Sequence, residues 1–125
     1  VTRITAVHDT SKIINPIGFH SQLEGGMVGA YGFAVMEDLN VDESGRVSNP
    51  SFADFKIPTE RDIPDLTVSL VETSEGRGAY KVKGIGEHSN LATAPAIANA
   101  IEDAIGIRLY SLPFTSDKIW HQISN

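Results

Sequence analysis

The sequence predicts an α+β fold in which a small mixed or antiparallel sheet packs against two main helices. Short β-branched segments occur near the start and in the middle of the chain. One long segment before the middle carries apolar residues at helical spacing, and an alanine-rich helical segment follows it. The length of 125 residues indicates one domain that is large enough to bury a core.

The first half of the chain is predicted to contain one strand and one long helix. Arg3–His8 alternates and is β-branched, as expected of a half-buried strand. A loop follows over Asp9–Pro16, because Pro16 holds Asn15 away from helical backbone angles. From Ile17 to Leu39 the apolar residues recur at helical spacing, which predicts the first helix.

The second half is predicted to contain short strands separated by polar or proline-containing loops. The predicted strands lie in Val47–Phe55, Leu66–Val71 and Tyr80–Lys83.

Two further helices are predicted near the C-terminus. The first is expected over Ala94–Ile105, with Thr93 as N-cap, Pro95 in the first turn and Gly106 at the end. A third, short helix is expected after Thr115.

Composition excludes several classes of function. The formal net charge of −6 disfavours nucleic acid and anionic membrane surfaces as partners. The chain has no cysteine, which excludes disulfides, zinc knuckles and cysteine-bound iron–sulfur clusters within it. The absence of cysteine also fits a cytoplasmic protein, which is the expected location. Neither a transmembrane segment nor a signal segment is recognisable. The first residue is Val1 rather than Met, which suggests a fragment, a processed product or an excised domain.

The predicted first helix is unusually rich in glycine. Each glycine costs about 1 kcal/mol relative to alanine inside a helix, so close packing or a ligand is expected to offset that cost. Gly25, Gly29 and Gly32 would share one face, where tight helix packing is favoured over a ligand. A dinucleotide-binding loop is excluded, because the G-x-G step is missing. Just before these glycines, Gln22 is either an exposed helix residue or an amide that recognises a heterocycle.

A second glycine-containing segment precedes the alanine-rich helix. In Lys83-Gly84-Ile85-Gly86-Glu87, two glycines expose backbone beside a carboxylate. Glu87 is therefore a candidate general base, provided that burial beside a cofactor raises its pKa. Alternatively, it only favours the positive end of the following helix. The chain's histidines do not show metal-ligand spacing, so no metal ligand is expected among them.

Several segments, taken in order, resemble one family over nearly the whole chain. The family is the molybdopterin-binding large subunit of molybdenum hydroxylases: xanthine dehydrogenases, aldehyde oxidoreductases, carbon monoxide dehydrogenases and their relatives. The resemblance identifies residues 1–125 as a single C-terminal molybdopterin-binding subdomain. The segments are Asp9–Pro16 (similar to D-x-G-x-x-I-N-P), Ser21–Gly32 (G-Q-x-x-G-G-x-x-x-G-x-G), Asp54–Thr59 (D-Y-x-x-P-T), Lys83–Glu87 (K-G-x-G-E), Ala94–Ile101 and Leu112–Thr115.

The resemblance implies a specific chemistry and a set of site residues. Glu87 would be the catalytic base that takes a proton from a molybdenum-bound hydroxyl, whose oxygen then attacks an electron-poor carbon of an aldehyde or N-heterocycle. Hydride would pass to the metal's sulfido ligand. Molybdenum-molybdopterin, with a cytosine dinucleotide form as one option, would be the cofactor. Iron–sulfur clusters and FAD on partner domains would carry the electrons away. The residues expected to contact the cofactor are Gln22, Lys83, Gly84, Ile85 and Gly86.

Four positions depart from the family pattern: Ser11 and Ser21 stand where glycine is common, Lys12 where arginine is common, and His88 where alanine or proline is usual.

Because the family's subunit is several times longer, the isolated chain is expected to be inactive. Its expected partners are the remaining molybdopterin-binding segment and the iron–sulfur and flavin subunits, with a homodimer as another way to cover its surface. A non-catalytic scaffold or interaction domain and a stand-alone ligand binder are the alternatives.

Overall fold

The computed structural model describes residues 1–124, which form two strands, three α-helices and one short 3₁₀ turn. The α+β class and the third helix after Thr115 are both confirmed. In chain order the elements are β1 (Arg3–Asp9), α1 (Pro16–Val35), β2 (Asp65–Val71), the 3₁₀ turn (Ala79–Lys81), α2 (His88–Ile105) and α3 (Ser116–Ile123).

The two strands pair in parallel, with Arg3 opposite Asp65 and Asp9 opposite Val71. The predicted mixed or antiparallel sheet is therefore wrong in strand direction. Parallel pairing requires a long crossover, which is supplied by α1 and the loop that follows it. Neither of the other two predicted strands forms in the described residues, where Val47 and Val82 make only isolated bridges to Val41 and Ser11.

The first helix begins with a side-chain cap and ends earlier than predicted. The Asn15 side chain accepts a hydrogen bond from Gly18 N at 3.0 Å, which satisfies one free donor of the first turn. At the other end, the N–H groups of Met36 and Glu37 both donate to Gly32 O, which closes the helix at Val35 rather than Leu39.

The second helix begins at His88, so Thr93 and Pro95 lie inside it rather than at its start. A Cβ on Gly26 would overlap Ser89 Oγ and lie 3.3 Å from Ser89 Cβ, so α1 and the first turn of α2 touch. This contact stabilises the first turn of α2, whose residues have a low intrinsic preference for the helix. Thr93 Oγ1 donates to Ser89 O at 2.7 Å instead of capping. The predicted end at Gly106 is confirmed, with φ of 73°.

The core lies between α1 and α2 rather than in the sheet. Leu23 and Met27 of α1 are fully buried, whereas each strand has only one half-buried face. A second buried cluster consists of Ala34, Ile97, Ala98 and Phe114.

None of the helices within residues 1–124 is both long enough and apolar enough to cross a bilayer.

Candidate functional site

The loop that carries Glu87 is anchored at its N-terminal end by an ion pair. Lys83 Nζ lies 2.5 Å from Asp9 Oδ2 at the end of β1, and Lys83 N donates to Thr10 O at 3.3 Å. The side chains of Lys83 and Asp9 are 34% and 41% exposed, so solvent screens the pair only in part. The pair fixes the residue from which the glycine-containing loop departs.

Asp9 is itself oriented by its neighbours. Its Oδ1 accepts hydrogen bonds from Ser11 N and from Thr73 Oγ1, both at 3.0 Å. The hydrogen bond from Lys83, followed by that from Ser11, lowers the pKa of Asp9 below its ordinary value and favours its ionised form. Ser11 is fully buried with φ of 53°, in the left-handed region that favours glycine. This conformation gives a physical reason for the glycine that is common at this position in the family pattern.

The C-terminal end of the loop is held by α1. Gln22 Nε2 donates to Gly86 O at 2.5 Å, and Gly86 directly precedes Glu87. Gln22 therefore lies beside the residue that precedes Glu87, although the two segments are far apart in sequence. The roles of these residues stay predictions.

Glu87 occupies the N-cap position of α2, and its side chain is exposed. The buried carboxylate expected for a base beside a cofactor is therefore not formed by residues 1–124 alone. Its side chain makes no capping hydrogen bond either, so the helix-end alternative rests only on the helix dipole.

His88 follows Glu87 and lies near His8 of β1. Burial, and then the charge of His88, lowers the pKa of His8.

The glycines around this loop fall into two groups. A Cβ added at Gly25 or Gly29 of α1, or at Gly84 or Gly86 of the loop, would meet no atom within 4 Å. The face predicted from Gly25, Gly29 and Gly32 is therefore divided, because Gly32 packs against Pro58. The open glycines leave backbone accessible beside Gln22 and Glu87, which fits close approach by an extended organic cofactor.

No group of three or more His, Cys, Asp or Glu side chains within residues 1–124 is placed to bind a metal ion directly. The donor set that these residues offer consists of a glutamine amide, glycine backbone and one carboxylate. It fits a cofactor that brings its own metal ligands better than it fits a bare ion.

The polar cluster formed by Asp9, Ser11, Thr73 and Lys83 could be predicted only in part from the sequence. Asp9 lies in a recognised segment, and its pairing with Lys83 of another recognised segment was not predicted. No sequence pattern singled out Thr73, because it stands in a polar loop whose position depends on β2.

Comparisons with known proteins show the family to which the chain belongs. Residues 1–64 match the family model of the molybdopterin cofactor-binding domain. The chain is 37% identical, over 123 residues, to the putative xanthine dehydrogenase molybdenum-binding subunit XdhA of Escherichia coli K12, which covers 98% of this chain and 16% of that subunit. It is 35% identical, over 122 residues, to the nicotine 6-hydroxylase large subunit of Paenarthrobacter nicotinovorans, covering 95% of this chain and 15% of that subunit.

A solved structure of quinoline 2-oxidoreductase from Pseudomonas putida 86 is similar in fold, with a TM-score of 0.91 and 27% identity. The similarity covers 99% of this chain and 16% of that one. The chain thus spans about one sixth of the length of these relatives.

Proposed function

The chain belongs to the molybdopterin cofactor-binding domain family, and from that premise we propose that it is part of a molybdenum hydroxylase and forms one wall of its cofactor site. The observation that supports this best is the hydrogen bond from Gln22 to Gly86. It brings an amide suited to heterocycle recognition next to the loop that carries Glu87, with open glycine backbone around both.

When bound, the molybdenum cofactor supplies the redox centre and the hydroxyl nucleophile. Glu87 accepts the proton that the nucleophile must lose, and this is the role of a general base. Gly84 and Gly86 let the cofactor approach the backbone, and Ile85 between them is half-buried. Lys83 acts by holding the loop, because its ammonium group is paired with Asp9.

The site needs further segments. Glu87 is exposed in residues 1–124, so the rest of the molybdenum-binding subunit would cover it and exclude water. Iron–sulfur and flavin subunits would remove the electrons, since this chain has no cysteine to hold a cluster. The proposed substrate is an aldehyde or N-heterocycle. The cytosine dinucleotide is one form that the pterin could take.

The experiment is Glu87→Gln in the complete enzyme assembly. Glutamine keeps almost the same shape but cannot accept the proton, so turnover should fall by about 10²–10⁴-fold, the typical contribution of a general base. Molybdenum content and folding should remain nearly unchanged. The measurement is the rate at which substrate reduces the metal centre, with molybdenum assayed in the same preparations.

Glu60→Gln is a matched control. Glu60 is exposed and lies close in sequence to Pro58, which packs at Gly32, about 15 Å along α1 from Gln22. This variant should react at the normal rate. Near-normal reduction in Glu87→Gln would remove Glu87 from the mechanism and leave the non-catalytic scaffold reading in its place.

The isolated 125-residue chain should bind no stoichiometric molybdenum and show no hydroxylase activity. The reason is that it offers only one exposed wall of the site. Metal analysis of the purified chain after incubation with the molybdenum cofactor checks this. Tight binding would show instead that the chain is a self-sufficient ligand binder.

A further inference from the structure

The outer edge of β1 has no partner among residues 1–124. Asp65 N donates to Thr2 O and Thr10 N donates to Val71 O, both at 3.1 Å, so the even-numbered residues of β1 face β2. Because N–H and C=O of one residue point the same way in a strand, Arg3, Thr5 and Val7 direct theirs to the opposite edge. None of these backbone groups has a hydrogen-bond partner in the described residues.

The sheet is also too narrow for the helices that pack on it. A helix with its side chains is about 10 Å wide, whereas neighbouring strands are about 4.8 Å apart. Two adjacent helices therefore need roughly four strands beneath them, and this sheet has two. α1 packs on β2, while α2 packs mainly on α1.

The part of the sheet that is missing would lie beneath α2. A groove of about 310 Å³ separates α2 from the start of β1. On the helix side its lining is small or apolar, because Ala96 and Ala100 leave space beside the buried Ile97. The strand side is formed by residues 1–5, among which Ile4 is half-buried. A strand added to the edge of β1 would direct every second side chain into this groove.

Parallel strands are normally buried on both faces and continued at their edges. Here the face of the sheet away from the helices is open as well, with Val7 64% exposed and Val71 42% exposed. An exposed edge of this kind is an available site for strand addition.

We propose that a strand from the remainder of the molybdenum-binding subunit pairs with the outer edge of β1 and fills the groove under α2 with apolar side chains. The occupant is assigned on length, because this chain matches only 16% of a subunit such as XdhA. The inference requires only that the chain is part of such a subunit. It does not depend on whether Glu87 is the catalytic base.

Residue-resolved amide hydrogen exchange on the complete subunit tests the pairing. The amides of Ile4, Ala6 and His8 donate to β2 and serve as the internal reference. The amides of Thr5 and Val7 should exchange within about tenfold of the reference rates, because both sets would then open together. Exchange of Thr5 and Val7 at free-peptide rates, with the reference amides protected, would overturn the proposal.

A photo-cross-linker identifies the occupant. Benzoylphenylalanine in place of Ala96 would project from α2 into the groove in the complete subunit. Cross-linked peptides should join Ala96 to a strand-forming segment of the same molybdenum-binding subunit. A cross-link to a second copy of the subunit, or no cross-link at all, would overturn the assignment. Activity is not part of either readout, so the proposed function can fail while this inference holds.

Discussion

Two pairs of glycines in α1 differ in what they contact. In the packed pair, Gly26 touches Ser89 and Gly32 touches Pro58, so these glycines permit contacts within the domain. In the open pair, Gly25 and Gly29 have no atom near an added Cβ, although they share one face of the helix with Gly32. A glycine that is costly in a helix and unused by the domain indicates a contact outside it. The open pair lies on the helix that carries Gln22, and under the proposed function this outside contact would be made with the cofactor.

Gly26→Ala should have the largest effect on stability. The new Cβ would overlap Ser89 Oγ and lie 2.7 Å from Asn90 Oδ1, so the packing of α1 on α2 must give way. Overpacking of this kind costs about 1–3 kcal/mol. The measurement is the apparent melting temperature of the assembled subunit, which should fall.

A double-mutant cycle with Ser89→Ala shows whether the contact itself is responsible. Removing Oγ should restore part of the lost stability in the Gly26→Ala background. Equal effects of Gly26→Ala with and without Ser89 Oγ would show that this contact does not cause the loss of stability.

Gly25→Ala is the neighbouring control and should act in the opposite direction on stability. No atom lies within 4 Å of its Cβ, and alanine is favoured over glycine in a helix by about 0.8–1.0 kcal/mol. The melting temperature of the cofactor-free subunit should therefore stay the same or rise. Molybdenum content should fall, because the methyl group stands where we expect the cofactor to approach. Normal molybdenum content would show that the open pair of glycines serves another contact.

Asp9→Asn should have the smallest effect, and one that depends on pH. The folded pKa of Asp9 is lowered by the hydrogen bond from Lys83, so its contribution to stability is present above the unfolded pKa of 3.8. That contribution is lost as the pH falls through the still lower folded pKa. The melting temperature of the variant should lie below wild type at pH 7 and approach it below about pH 4. The carboxylates Asp42 and Asp62 also have lowered pKa values, but they are present in both proteins. A constant difference across this pH range would contradict an ionised Asp9–Lys83 pair.

Short sequence patterns predicted those elements whose bounds depend on residues close by in the chain. The apolar spacing after Pro16 predicted α1, Gly106 predicted the end of α2, and Thr115 predicted the start of α3. The segments around Gln22 and Glu87 were recognisable because their glycines, amide and carboxylate lie within a few residues of one another. The sequence by itself therefore indicated the family and the α+β class, and it supplied candidate site residues whose roles stay predictions.

Tertiary structure decided the features that depend on contacts between distant segments. α2 begins at His88 because Ser89 packs on Gly26, and no pattern near His88 contains that information. Lys83 is committed to Asp9, which is distant in sequence, so its role in holding the loop was invisible in either segment alone. The strand direction likewise follows from how α1 crosses between β1 and β2. In each case the deciding free energy comes from close packing or charge pairing between parts of the chain that only the fold brings together.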